Sequence, residues 1–205
     1  MNTETTTSKF TPDSELDLLF PAEYISQEVR DQLHPSLHVR LPHRPNPNPL
    51  TPPQIRPLAA TDYHRGHLSV LSVLTVVSDP GAVAWRAQFE ALRAAAHTYY
   101  SLVIVDRASD RIVAVGTVFV ERKFLRGLGS VGHIEDIAVD ATQQGKKLGL
   151  RVIQALTAIS ENSGCYKTIL NCSDKNIPFY QKCGYEKKEN EMAKYAPEHI
   201  SNSRL

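Results

Sequence analysis

The stretch from Gly132 to Arg151 constrains the fold of this chain more than any other. It opens with the largely β-branched segment Ile134–Val139, which is typical of a buried strand. A polar turn containing glycine follows, and apolar residues then recur at near-helical spacing between Leu150 and Ile159. The pattern predicts a strand, a glycine turn and an amphipathic helix in direct succession.

Two neighbouring acids, Glu135 and Asp136, interrupt the predicted strand. Because neighbours in a strand point to opposite faces, we expect one carboxylate to face inward or into a cleft. Burying an unpaired carboxylate is costly, so such a residue is usually paired or used. The two acids are therefore candidates for a functional site, and the alternative is that they cap or bridge neighbouring strands.

The turn and the start of the predicted helix form a candidate anion site. A helix N-terminus offers unpaired N–H groups and a partial positive charge, and both suit a phosphate. Lys146 and Lys147 add full positive charges at the same place. The alternative is an ordinary helix start with a solvated lysine pair.

Length and composition narrow the class of protein. The chain has 205 residues, 41% hydrophobic and 22% charged, which fits one compact domain with a tail or at most two small domains. A net charge of +1 gives no general attraction to nucleic acid or membrane. No apolar run approaches the ~20 residues of a membrane span, and the N-terminus lacks the hydrophobic segment of a signal peptide. The three cysteines have no CxxC spacing, which predicts reduced thiols in a cytoplasmic protein and no metal site.

Residues 1–53 are predicted to form a partly disordered, proline-rich N-terminal extension, and residues 54–205 the folded domain. Within the extension, Leu16–Leu33 is predicted to be a short helix that packs on the domain surface. The proline-dense segment that follows excludes a regular helix. Its scattered histidines show no repeating ligand spacing and so predict no metal role; they are His34, His38 and His43, with His64 beyond them.

The domain is predicted to begin with a strand at Gln54–Arg56. A helix follows, with Thr61 and Asp62 as its N-terminal cap and Leu74 among its buried residues. The later elements, in order, are a helix over 83–97, strands over 100–106 and 112–121 that form an antiparallel hairpin, the stretch described above, a strand over 167–172, a helix over 176–183 and a last strand reaching about residue 195. The order βααβββαβαβ predicts a mixed α/β sheet.

Three segments together resemble the GNAT superfamily of acyl-CoA N-acetyltransferases. They are Ile134–Val139, the turn Gln144–Gly149 and Phe179–Tyr185, in the order and spacing of that family. The closer resemblance, on 132–139 and 164–167, is to the glucosamine 6-phosphate N-acetyltransferases. It spans roughly 54–195 and implies the GNAT fold, a splayed, mostly antiparallel mixed sheet flanked by helices. Lys147 stands where the family turn usually has its middle glycine.

The resemblance implies acetyl-CoA as the co-substrate and no metal. The pyrophosphate of acetyl-CoA would bind main-chain N–H groups of Gly145–Leu150, and the pantetheine arm would lie along Ile137–Val139. Tyr180 matches the tyrosine that donates a hydrogen bond to the departing sulfur. The residues implied to contact acetyl-CoA are Ile137, Ala138, Val139, Gln144, Gly145, Lys146, Lys147, Leu148, Gly149, Leu150, Asn171, Asn176 and Tyr180.

The implied reaction is direct attack of the 2-amino group of glucosamine 6-phosphate on the thioester. Glu135 and Asp136 are the candidates to orient the amine and accept its proton, so the implied catalytic residues are these two acids and Tyr180. The residues implied to bind the sugar phosphate are Thr75, Lys123, Arg126, Glu135, Asp136, Tyr166, Lys167 and Tyr185. A second subunit completes such sites in the family, which implies a homodimer.

Two other interpretations remain open. The same fold could acetylate a peptide or polyamine amine, although the cations Lys123, Arg126 and Lys167 disfavour it. The chain could also be a non-catalytic acyl-CoA-binding module, which the presence of Tyr180 and the acid pair disfavours.

Overall fold

The computed structural model describes residues 10–31 and 53–195 and contains one five-stranded sheet. The strands, which lie in the spatial order β1-β2-β3-β4-β5, are β1 (Gln54–Pro57), β2 (Tyr99–Asp106), β3 (Arg111–Arg122), β4 (Ser130–Val139) and β5 (Cys165–Leu170). Neighbouring strands are antiparallel except β4 and β5, which are parallel. The predicted mixed, mostly antiparallel sheet and its β2–β3 hairpin are confirmed.

The helices are α1 (Gln27–Asp31), α2 (His67–Leu71), α3 (Gly81–Ala94), α4 (Leu125–Leu128), α5 (Leu148–Asn162) and α6 (Ile177–Lys182). Short 3₁₀ turns lie at Asp13–Glu15, Ala22–Tyr24, Ala141–Gln143 and Asp174–Asn176. Element α4 is a tight turn and not a regular helix, because Arg126 (φ 55°) and Gly127 (φ 65°) are left-handed. None of the helices in the described part of the chain is long and apolar enough to cross a membrane.

Helix α5 supplies one side of the core. Its apolar side chains recur at helical spacing and meet the sheet, as the sequence predicts. Val152, Ile153, Leu156 and Ile159 are fully buried, and so are Leu102, Val103, Ile104 and Val105 of β2. The helix that carries the predicted anion site is therefore held rigidly on the sheet.

The segment before the predicted domain contributes to the same core. Leu19, Phe20, Ile25 and Val29 are buried, and the N–H of Leu19 donates to the carbonyl of Leu58 at 2.8 Å. The prediction that this segment packs on the domain is confirmed, but the single helix over Leu16–Leu33 is wrong. Short turns and α1 replace it, because Pro21 has no N–H to continue a helical ladder. The predicted proline-dense linker with its histidines, and residues 1–9, lie outside the described residues.

Asp62 does not cap a helix, so that prediction is wrong. Its carboxylate is buried and accepts two hydrogen bonds from the guanidinium of Arg56, both at 2.7 Å. This bidentate pair ties β1 to the turn that follows it. Helix α2 begins only at His67 and ends at Leu71, which leaves Leu74 about half exposed instead of inward.

The chain divides into two compact units at the junction of Leu170 and Asn171. The second unit contains α6, which confirms the helix predicted over 176–183. The last strand predicted to reach residue 195 is wrong, since residues 185–195 contain no regular structure. The segment after Tyr185 is rich in Glu and Lys and lacks the β-branched residues that favour strands.

Candidate active site

Strand β4 departs from regular pairing at the two acids. Glu135 pairs with Thr117 and Ala138 with Val115, so Asp136 and Ile137 together lie opposite a single residue of β3. Asp136 has a φ of 56°, and this combination is a β-bulge. Both Glu135 and Asp136 are exposed, so the expectation that one acid faces inward is wrong, and the alternative that one faces a cleft stays a prediction. The bulge breaks the strict alternation on which that expectation depended.

Gly116 makes the bulge possible. A Cβ atom at this position would lie 2.5 Å from Cγ1 of Val152 and 2.6 Å from Cδ1 of Ile137. Only a residue without a side chain lets the bulged strand and α5 approach so closely. Our sequence reasoning missed Gly116, although an isolated glycine in a strand pattern often marks a bulge or a close backbone approach.

The sheet opens beside the bulge. The pairing of β4 with β5 ends at Ile134 and Leu170, whereas β4 continues to Val139. Ala138 and Val139 still pair with β3 on the other side. The ladder between β4 and β5 thus stops before Ile137–Val139, and an extended ligand could add to this edge as a strand does. Ala138 is buried, whereas Ile137 and Val139 on either side of it are half-buried and form the accessible part of this edge.

A tightly defined turn connects β4 to α5. The carboxylate of Asp140 accepts hydrogen bonds from the N–H of Thr142 at 2.8 Å and from its hydroxyl at 2.6 Å. These bonds hold the pKa of Asp140 below its usual value. Gly145 (φ 80°) and Lys147 (φ 61°, ψ 18°) are left-handed, and Leu148 then begins the helix. The left-handed conformation at Lys147 explains why the family turn usually has glycine there.

The start of α5 presents the predicted anion site. Leu148 anchors the turn because its side chain is buried, and the side chain of Lys147, the residue before the helix, makes no capping hydrogen bond. The first main-chain N–H groups of α5 are therefore available to bind a ligand. Lys146 and Lys147 are exposed, and the ammonium of Lys146 donates to Oε1 of Gln143 at 2.6 Å. Gln144, which is exposed, and the half-buried Gly149 and Leu150 complete the predicted turn.

The bulge and the anion site are adjacent. Ile137 of the bulge and Val152 of α5 both approach the Gly116 position, and Val152 lies about one helical turn after Leu148. The structure thus brings the acid-bearing edge of β4 next to the amide-lined start of α5. This arrangement allows an acyl group on an extended, anion-bearing carrier to lie beside two carboxylates.

The predicted phosphate-binding cations cluster near the other end of β4. The guanidinium of Arg126 lies 5.7 Å from the ring centre of Tyr166, and Lys167 pairs in register with Val131. Lys123 lies three residues before Arg126, and its main-chain N–H donates to the carbonyl of Gly129 at 2.9 Å. The predicted site residue Thr75 is exposed in a bend after α2, a helix that contacts β3 and β4.

Four predicted site residues belong to the second unit, and their roles stay predictions. Tyr180 is half-buried, and its ring has edge contacts with Phe179 and Tyr185 at 5.0 and 6.4 Å. Asn171 and Asn176 are exposed, and Asn176 immediately precedes α6. Across the described ranges, no group of His, Cys, Asp and Glu side chains could hold a metal ion.

Comparison with known families decides what this architecture is. Residues 70–185 match the acetyltransferase (GNAT) family. The chain belongs to the GNAT acetyltransferase family. It is an acyltransferase with the GNAT fold, as the three sequence segments predict, and members of this family use acetyl-CoA.

Several GNAT proteins that are similar to this chain are named for the same activity. The chain is 46% identical over 144 residues to the probable glucosamine 6-phosphate N-acetyltransferase 2 of Oryza sativa subsp. japonica, covering 69% of this chain and 87% of that one. It is 41% identical over 142 residues to the glucosamine 6-phosphate N-acetyltransferase 1 of Dictyostelium discoideum, covering 69% and 90%.

Solved structures show the same GNAT architecture. The crystal structure of glucosamine-6-phosphate N-acetyltransferase from Arabidopsis thaliana has a TM-score of 0.69 at 39% identity and covers 71% of this chain and 99% of that one. A predicted acetyltransferase from Clostridium acetobutylicum, solved with acetyl-CoA, has a TM-score of 0.55 at 13% identity and shows the shared fold alone.

Proposed function

We propose that this chain transfers the acetyl group of acetyl-CoA to the 2-amino group of glucosamine 6-phosphate. The products are N-acetylglucosamine 6-phosphate and CoA, on the route to UDP-N-acetylglucosamine. One observation carries the proposal: the bulge with Glu135 and Asp136 lies directly beside the amide-lined start of α5. The shared activity of the Oryza and Dictyostelium relatives supports the choice of acceptor.

The first unit has features that fit acetyl-CoA. The N-terminus of α5 with Lys146 and Lys147 suits the pyrophosphate, because N–H groups and ammonium groups both attract an anion. The open edge of β4 along Ile137–Val139 suits the pantetheine arm, which has amides of its own. A main-chain N–H near Ile137 would polarise the thioester carbonyl, and one such preorganised donor is typically worth about 10²–10³ in rate.

The proposed chemistry is a direct transfer. The neutral amine attacks the thioester carbon, a C–N bond forms, and the C–S bond then breaks. Glu135 and Asp136 orient the amine and accept its proton, directly or through water. Tyr180 donates a hydrogen bond to the sulfur as it gains negative charge, and Asn171 and Asn176 contact CoA.

The sugar phosphate is proposed to bind at the cation cluster. Lys167 pairs with Val131, which lies four residues before Glu135. At the rise of an extended strand this separation is about 13 Å. The long side chains of Lys123, Arg126 and Lys167 can reach across part of this distance. An arginine can also make a bidentate contact with a phosphate. Tyr166 positions Arg126, while Thr75 and Tyr185 complete the proposed sugar contacts.

We propose a homodimer, because large apolar side chains are exposed around the proposed substrate residues. Val76 beside Thr75 is 92% exposed, and Phe124 and Leu125 beside Arg126 are 96% and 70% exposed. Large exposed apolar side chains at a site favour burial by a second subunit. For the compartment, the free thiols of Cys165, Cys172 and Cys183 suit the reducing cytoplasm that the sequence predicts.

A thiol-release assay with the full chain tests the function. Glucosamine 6-phosphate should release CoA rapidly from acetyl-CoA, whereas unphosphorylated glucosamine, spermidine and amine-bearing peptides should not. Turnover of peptides or spermidine alone would favour an acetyltransferase with a different acceptor. Acetyl-CoA binding without turnover of any amine would favour the non-catalytic module.

A further inference from the structure

Two side chains beside the proposed phosphate-binding Lys123, those of Glu121 and His133, have no role in the chemistry described so far. The carboxylate oxygen Oε2 of Glu121 lies 2.7 Å from the ammonium of Lys123 and 2.9 Å from Nε2 of His133. The imidazole of His133 stacks on Phe119, with 4.5 Å between ring centres and 10° between planes. One carboxylate oxygen is thus shared between a lysine and a histidine whose ring is held in place.

The strand register places this cluster on the face of the sheet that carries Glu135. Phe119 pairs with His133, and Thr117 pairs with Glu135. Residues two apart in a strand share a face, so His133 lies beside Glu135, about 7 Å away along β4. By the same rule Glu121 and Lys123 follow Phe119 on that face of β3 and its extension. The cluster therefore extends from the acid pair towards the proposed phosphate-binding cations.

The ionised carboxylate of Glu121 determines which ring nitrogen of His133 carries a hydrogen. The hydrogen bonds from Lys123 and then His133 hold the pKa of Glu121 below its usual value, so the carboxylate is ionised near neutral pH. An ionised carboxylate only accepts hydrogen bonds, so Nε2 of His133 must carry a hydrogen. His133 is 22% exposed and Glu121 41%, so the histidine is the more firmly enclosed partner.

We propose that His133, acting through Glu121, is a positioning residue that holds the ammonium of Lys123 for the substrate phosphate. A lysine side chain is flexible, and holding it before binding reduces the ordering cost that the phosphate must meet. His133 anchors Glu121, and Glu121 anchors Lys123. The inference rests on the proposed function, because it assigns how that sugar phosphate is recognised.

The test compares two replacements of His133. His133→Phe keeps a ring to stack on Phe119 but has no donor, whereas His133→Gln carries an amide N–H near the position of Nε2. We expect His133→Phe to raise KM for glucosamine 6-phosphate about threefold to tenfold, the range for one lost hydrogen bond. KM for acetyl-CoA should stay unchanged, and His133→Gln should retain the wild-type KM for glucosamine 6-phosphate.

A double-variant cycle tests whether His133 acts through Lys123. In a Lys123→Met background, His133→Phe should cause no further rise in KM for the phosphorylated sugar, because the group that it positions is gone. Glu90→Gln is the matched control, since Glu90 on α3 likewise lies between two cations, Arg86 at 2.6 Å and Arg93 at 2.5 Å. This control should leave every kinetic constant unchanged.

Wild-type turnover of glucosamine 6-phosphate is measured first. Its absence would overturn the proposed function and this inference with it. Turnover by the wild type with any of three results overturns the inference alone: an equal KM for His133→Phe and His133→Gln, a lower KM for His133→Phe, or additive effects in the Lys123→Met background. A lower KM would mean that the Glu121 ion pair competes with the phosphate.

Discussion

A Cβ atom added to Gly116 would lie 2.6 Å from Cδ1 of Ile137, the second residue of the β4 bulge. Real side chains do not approach so closely, so Gly116→Ala must displace the side chains of both Ile137 in the bulge and Val152 of α5. We expect the substitution to lower the free energy of unfolding by about 1–3 kcal/mol through overpacking. We also expect kcat/KM for acetyl-CoA to fall about tenfold or more, because the bulge forms one wall of the proposed thioester site.

Gly132→Ala is the matched control for Gly116. Its added Cβ would meet Oγ of Ser160 at 2.1 Å, at a position of β4 remote from the bulge. It should destabilise the fold while leaving KM for acetyl-CoA unchanged. Equal kinetic losses in the two variants would show that the effect at Gly116 is general destabilisation.

The left-handed conformation of Lys147 predicts that glycine relieves strain at this position. Lys147→Gly should raise the free energy of unfolding by about 0.5–1 kcal/mol, whereas Lys147→Ala keeps the strain and should give no gain. Both variants remove one charge from the start of α5, so KM for acetyl-CoA should rise roughly threefold in each. Urea unfolding and initial-rate kinetics measure the two effects. Equal stabilisation by alanine would exclude backbone strain as the cause.

Replacing Tyr180 tests its proposed role at the sulfur. Tyr180→Phe should lower kcat about a hundredfold while changing KM for acetyl-CoA little, because the hydrogen bond strengthens as the sulfur becomes charged. Tyr195→Phe is the control, since that side chain is 90% exposed. Single-turnover kinetics establish whether chemistry limits the rate. An unaltered kcat with rate-limiting chemistry would remove Tyr180 from the mechanism.

His67 predicts a pH dependence of stability. Burial lowers its pKa from 6.5 to about 4 and outweighs the opposing effect of the Asp62 carboxylate. The indole N–H of Trp85 donates to Nδ1 of His67 at 3.2 Å, a bond that requires this nitrogen to be unprotonated. The unfolded chain therefore binds more protons than the folded chain between these pH values, so stability falls as the pH drops from about 6.5 to about 4. The loss should reach at most about 3 kcal/mol.

Urea unfolding at a series of pH values measures this loss, and Trp85, the only tryptophan, reports it by fluorescence. His67→Asn keeps an acceptor for the indole but does not titrate, so its stability should depend less steeply on pH. The same change at exposed His64 should leave the dependence as in the wild type. Identical slopes for His67→Asn and the wild type would contradict the assignment.

Some parts of the candidate site were predictable from the sequence because their signals are local. The apolar spacing of α5 and the glycine turn before it predicted the helix and its anion site, and the three matched segments predicted the family. Gly116 also had a local signal, an isolated glycine in a strand pattern, although we did not use it. The strand predicted after Tyr185 failed, because a strand needs suitable residues as well as a place in the fold.

The sequence by itself determined most of the strands and helices between β1 and α6 and their order, since helix and strand periodicity are properties of neighbouring residues. Only the tertiary structure decided that Asp136 lies in a bulge opposite Gly116, that Asp62 pairs with Arg56 instead of capping a helix, and that Glu121 joins His133 to Lys123. Each of these relationships depends on strand register or on partners brought together by folding, and no local pattern specifies which distant residue will lie opposite.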